Sequence, residues 1–230
     1  MTLNDDDIPF PVQGPALRSK LDDIVTPRLA RFGIAWCGDY RWVQAGDTPI
    51  RRIAQFNLMK GAGGIMSWGY SLSFVPAIVG GRLAYHRSAQ NARKDIFEFE
   101  SSYVENVNGG PRYREVFREA RQLDATLDRY LQEVIPQMQD WWDNVGDIER
   151  IERELEQQQR TRQFHHPSPT YVLSFVKAAR GDREAAQRLF QLWLGAQARF
   201  DRALSRKLIR SLEGALDNCH PRYERDQIRS

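Results

Sequence analysis

The stretch that decides the fold is Met66-Ser67-Trp68-Gly69-Tyr70-Ser71-Leu72-Ser73-Phe74-Val75-Pro76. Large apolar residues fall at Met66, Trp68, Tyr70, Leu72 and Phe74, with small or polar ones between them. Side chains along a strand alternate between the two faces of a sheet, so this spacing predicts a half-buried β-strand with an aromatic core face. Trp68 and Phe74 then share that core face. Upstream, Ile50 to Met59 predicts a second strand, with Ala54, Phe56 and Leu58 on one side. Lys60-Gly61-Ala62-Gly63-Gly64 is the hairpin loop between the two. Tyr40 to Ala45 predicts a short aromatic strand, and Gly46-Asp47-Thr48-Pro49 a turn. Ile96 to Tyr103 predicts a fourth strand, and the Gly- and Pro-broken segment from Val75 to Tyr85 a connection across an edge.

Helices flank the strands. Leu17, Leu21, Val25, Leu29 and Phe32 lie on one helical face from Pro15 to Phe32, interrupted at Pro27 and closed by Gly33. After Asn108-Gly109-Gly110-Pro111 the apolar period changes from two to 3.6. Leu123, Leu127, Leu131, Val134 and Met138 form the stripe of a long helix whose end Pro136 should kink. A polar helix from Asp147 to Gln163 follows. His165-His166-Pro167-Ser168-Pro169 breaks the chain, and a helical hairpin ends it: Thr170 to Arg180, a Gly181-Asp182 turn, then one long helix from Arg183 to Asp217. The fold class is therefore α+β: a small antiparallel sheet with one face covered by helices, then a helical C-terminal region. Residues 1–14 read as a mobile arm, 15–110 as the helix plus sheet, and 111–230 as the helical region packed on the sheet or extending from it.

Leu29-Ala30-Arg31-Phe32-Gly33-Ile34, the aromatic strand Tyr40-Arg41-Trp42-Val43, Ile53 to Leu58 with Lys60-Gly61, and Trp68-Gly69-Tyr70 occur in an order that resembles a bacterial family catalogued only as a domain of unknown function. Val134-Ile135-Pro136 and Trp141-Trp142 resemble an Ile-Pro-aromatic step in a later helix of that family. The resemblance covers about residues 17–145 and implies an α+β domain. It carries over no catalytic residue.

Composition narrows the function classes. With 41 % hydrophobic residues and 11 % aromatics, the 230-residue chain can build a sizeable core. No apolar run reaches the roughly 18 residues of a membrane span. The acidic start, Asn4-Asp5-Asp6-Asp7, is the opposite of a secretory leader, so a cytoplasmic location is expected. Cys37 and Cys219 fall in no zinc-ligand spacing and are read as free thiols. The formal charge of +3 lies entirely in residues 181–230.

The chemistry-bearing patterns are sparse. Lys60 precedes its glycines and a strand follows them, the reverse of a phosphate-binding loop. Glu98 and Glu100 fall on one strand face and form either a solvated acidic face or a Mg²⁺ or acid–base pair. A nuclease of the restriction type also needs an acid-x-Lys step on the adjacent strand, and residues 55–60 supply no acid. His86, His165, His166 and His220 form no metal-binding pair on a helix, so neither a metal nor a cofactor is expected. No histidine partner is identifiable for Cys37 as a nucleophile. Arg199, Arg202, Arg206 and Arg210 fall on one face of the expected long helix, where they suit water, acidic partners or a phosphate backbone. Trp141 and Trp142 are either core or an aromatic anchor for a partner. Two functions follow as expectations. The first is a non-catalytic protein-binding or accessory protein of the toxin-neutralising or defence-associated kind. The second is a nucleic-acid-directed protein, such as a divergent nuclease, using the arginine row.

Overall fold

The computed structural model describes residues 10–60, 63–101, 103, 116, 118–161, 167–199 and 204–229. The chain divides into two compact units: Met1–Ala45, Arg52–Gly69 and Phe97–Asp143 form one, and Gly46–Arg51, Tyr70–Ile96 and Asn144–Ser230 the other. The fold is α+β. Its described residues give a five-stranded antiparallel sheet in the order β1-β2-β3-β4-β7, with β1 Ile34–Gly38, β2 Arg41–Gln44, β3 Ile50–Leu58, β4 Gly64–Leu72 and β7 Ile96–Phe99. A separate pair, β5 Ala77–Val79 and β6 Arg82–Ala84, forms a two-stranded antiparallel hairpin.

In the first unit, α1 (Gly14–Leu29) buries Leu17, Leu21, Val25 and Leu29, the stripe read from its sequence. Pro27 does not stop it; the helix runs on to Leu29 and closes with a 3-10 turn, Ala30–Phe32, ending at Gly33 with φ 71°. Thr26 serves two neighbours: its Oγ1 donates to Asp22 and accepts from Trp42 Nε1 at 2.8 Å. The following strand β1 was not expected. It pairs with β2 through Asp39 and Tyr40, both at positive φ (50° and 59°), which is the turn geometry that matches strand twist. The usual Asn-Gly signal is missing there, so the hairpin is hidden in the sequence. Of the expected mobile arm, residues 1–9 lie outside the described residues. Val12 is fully buried, and its N–H donates to Arg118 O at 2.8 Å.

The helix after the sheet, α2 (Ala120–Asn144), passes through Pro136 and carries Leu123, Leu127, Leu131, Val134 and Met138 inward. It is tied to α1 by ion pairs Lys20–Asp124, at 3.0 Å, and Arg28–Asp128. Two of its aromatic side chains bond β4 directly. Met66 N–H donates to Tyr130 Oη at 2.7 Å, and Trp142 Nε1 donates to Gly69 O at 3.1 Å. Strand β7 has four residues against nine in β4, so groups outside the sheet bond β4 backbone as well. Gly64 O accepts from Val116 N–H, Tyr70 O from Asp95 N–H, and Leu72 N–H donates to Asp95 Oδ2.

Trp68 and Phe74 are core residues, as their alternation requires. The half-buried reading of this strand is corrected: all nine residues of β4 are buried, Ser67 and Ser71 completely. The serine face is small, not wet. Ser67 Oγ accepts from Asn57 Nδ2 and Ser71 Oγ from Arg93 N–H, so burial leaves neither hydroxyl without a partner. Gly64 sits under Phe56, whose Cζ would lie 2.2 Å from an added Cβ. The expected strand over residues 96–103 is shortened to β7; Glu100 lies beyond its end.

In the second unit, the expected edge connection is the β5–β6 hairpin, turned by Gly80 and Gly81 at φ 56° and 73°. Five helices follow: α3 (Ile148–Thr161), α4 (Pro169–Ala179), α5 (Arg183–Arg199), α6 (Arg206–Asp217) and α7 (Cys219–Arg229). Helix α4 is buried nearly all round and packs against the other four. A helix apolar on every side has to sit at the centre of its neighbours. Gly181 and Asp182 make the α4–α5 turn as read, with Asp182 Oδ1 accepting from Ala185 N–H. The expected single helix from Arg183 to Asp217 is two helices. α5 ends at Arg199, and Ser205 caps α6 by accepting from Leu208 N–H at 3.2 Å. No described helix is long and apolar enough to cross a membrane.

Candidate binding surface

Breaking the long helix changes what the arginines can do. Arg206 and Arg210 are exposed on the first turns of α6. The Arg199 side chain and Arg202 lie outside the described residues; Arg199 closes α5 while Arg206 and Arg210 belong to α6, so Arg199 does not share one helix with those two. Helix α6 packs on β6, and between the Gly80-Gly81 turn and the start of α6 lies a cleft of about 370 Å³. Arg82, Lys207, Ser205 and Ser211 line it. Ser205 Oγ is used as an acceptor by the cap, and the Ser211 hydroxyl donates to Lys207 O at 3.0 Å.

Among the described residues, Arg82, Arg206, Lys207 and Arg210 make no ion pair. Other cations of this unit do. Lys177 binds Glu152 at 2.6 Å and Glu156 at 3.1 Å, and Arg180 binds Glu152 at 2.6 Å. Burial works to raise the Glu152 pKa, but the hydrogen bonds from Lys177 and Arg180 outweigh it and hold the carboxyl below its usual range. These pairs fasten α3 to α4. Among the described residues the cations at α6 fasten no second element by an ion pair. Arg82 and Lys207 belonged to no sequence pattern; the only signal was the Gly-Gly turn that places Arg82 at a hairpin tip.

The other expected sites disperse. Trp142 is 1 % exposed and stacks edge-on against Phe32 at 5.4 Å, so it is core and cannot anchor a partner. Trp141 is half-buried beside it. Glu98 is half-buried, and its Oε1 accepts from Phe99 N–H; Glu100 is 3 % exposed. They form no solvated acidic face. Lys60 is exposed, with 61–62 outside the described residues, as are His165 and His166. His220 bonds Ala179 O through Nδ1 at 2.6 Å and lies 3.3 Å from Glu224, at the end of α4. Cys37 and Cys219 are free, and burial pushes the Cys219 thiol up to about 12. Among the described residues no group of three or more potential metal ligands comes together.

Two buried charges were invisible in the sequence. Asp95 is fully buried, accepts from Leu72 N–H at 2.7 Å and from Arg93 Nε at 2.8 Å, and burial raises its pKa to about 6. Arg51 is 1 % exposed and donates through Nη2 to the carbonyls of Gly46 and Arg87. Comparison with protein-family models, with curated proteins and with solved structures returns no match.

Proposed function

We propose that the protein acts by binding, and that the basic cleft at the start of α6 is where an acidic segment of a partner protein docks. The observation that supports this is the set of four cations, Arg82, Arg206, Lys207 and Arg210, without an ion-pair partner among the described residues. Arg82 and Lys207 line the cleft, and Arg206 and Arg210 stand exposed on the same first turns of α6 as Lys207. A phosphate backbone rewards cations spaced along its track, whereas a compact group suits a short run of carboxylates. Toxin-neutralising and defence-associated accessory proteins are instances of the class.

A labelled hexaglutamate peptide is the probe. It should bind the protein at low salt, and the pair Arg206→Glu and Lys207→Glu should weaken it at least about ten-fold, equal to about 1.4 kcal/mol. Unchanged affinity in that variant, with its fold intact by circular dichroism, would remove the cleft from the reading. The second reading is binding of nucleic acid at the same cations. It is favoured by the same lack of carboxylate partners, and the salt dependence separates the two.

A further inference from the structure

Helices α3, α4 and α5 enclose a second groove, of about 400 Å³, which the charged cleft does not involve. Its apolar lining is Leu173 on α4 with Ala185, Leu189 and Leu192 on α5. The three α5 residues are spaced four and three apart, so they stand in one row along about 10 Å of helix. Leu192 is 62 % exposed. Ala185 and Leu189 are half-buried and Leu173 is buried, so the groove runs from a core leucine out to an exposed one, on a helix whose other face buries Ala186, Phe190 and Trp193.

The groove's charged lining is three cations, Arg160, Lys177 and Arg188, and one carboxylate, Glu156. Arg160 from α3 has no ion-pair partner among the described residues, and Arg188 meets only Glu184, an exposed pair on its own helix. Exposed pairs of that kind hold little energy and exchange readily for another carboxylate. Glu156 pairs with Lys177 at 3.1 Å, a cation it shares with Glu152. The lining is therefore an apolar row edged by two available guanidinium groups.

We infer that this groove docks an amphipathic helix of a partner protein, with apolar residues at spacings of three and four and carboxylates on its flanks. The row of Ala185, Leu189 and Leu192 takes the apolar stripe, in the manner of helix-in-groove recognition. Arg160 and Arg188 take the flanking carboxylates and set the orientation. This docking is independent of the basic cleft on α6.

The probe is a helical peptide of about 15 residues with leucines on one face and glutamates on both flanks, against a twin with lysines in place of the glutamates. Binding is read from the methyl resonances of Leu189 and Leu192 and from fluorescence polarisation. The glutamate peptide should shift both methyls. It should bind at least about ten-fold more tightly than the lysine twin. Leu192→Gln should lose that binding with an unchanged melting temperature, because the side chain it replaces is already in water. Arg160→Glu should erase the preference for glutamate. The shifts of the Leu189 and Leu192 methyls should persist in the pair Arg206→Glu and Lys207→Glu, which separates this groove from the basic cleft. Methyls that stay unmoved at millimolar peptide, or equal binding of the twins, would overturn the inference. So would a dimer that Leu192→Gln converts to monomer, since a second copy would then own the groove.

Discussion

Trp68 carries the core of β4 and also its one polar discord. The side chain is 2 % exposed, and its Nε1 finds no acceptor among the described residues. Trp68→Ala should cost on the order of 3–5 kcal/mol, as large aromatic truncations in cores do. Trp68→Phe should cost clearly less, because it keeps the ring packing and removes an unpaired buried donor. Denaturant titration of both variants checks the order; an alanine variant as stable as the parent would contradict the placement of this strand. Asp95 gives a pH signature. Its folded pKa, about 6, lies above the ordinary 3.8, so the native state holds this proton more tightly than the unfolded chain. The contribution of this group is therefore most favourable below about pH 4 and declines as the pH rises to 6, by about 3 kcal/mol in all. Asp95→Asn should flatten that part of the stability–pH curve, and a carboxyl titrating near 4 by NMR would refute the burial argument.

At the scale of elements, what could be read in advance follows from periodicity, and what could not follows from missing punctuation. The α1 stripe and the alternation in β4 are patterns of many residues, so burial repeats them faithfully. The β1–β2 turn uses Asp39-Tyr40 where glycine or asparagine is the usual marker. Among the described residues the start of α6 is marked by Ser205, inside an apolar row that continues at helical spacing on both sides in the sequence. Ser205→Ala should therefore cost about 1 kcal/mol, the ordinary effect of losing an N-cap, and amide exchange should quicken first at Leu208. No change in stability or exchange would mean that α6 begins without that bond. The serine face of β4 misled for another reason. Small polar residues look solvated in sequence, yet a serine whose hydroxyl is bonded can be fully buried.

Across the whole molecule, the α+β class and the excess of positive charge toward the C-terminus were legible, because both are sums over many residues. Which cations stand together was not. Arg82 and Lys207 are separated by 124 residues of chain that include five helices or parts of helices, and only folding places them on one cleft. The compact units are assembled from alternating stretches, so no single break in the sequence divides one unit from the other. On the proposed reading the α6 cleft takes carboxylates of a protein partner in preference to phosphates of a nucleic acid. The affinity of the hexaglutamate peptide and of a short DNA duplex across a salt series decides between the two. We predict that the peptide displaces the duplex and that duplex binding vanishes near 150 mM salt, roughly the physiological value. A micromolar duplex complex that persists at that salt, falls with a log–log slope of about −3 and is lost in the Arg206→Glu, Lys207→Glu variant would contradict it.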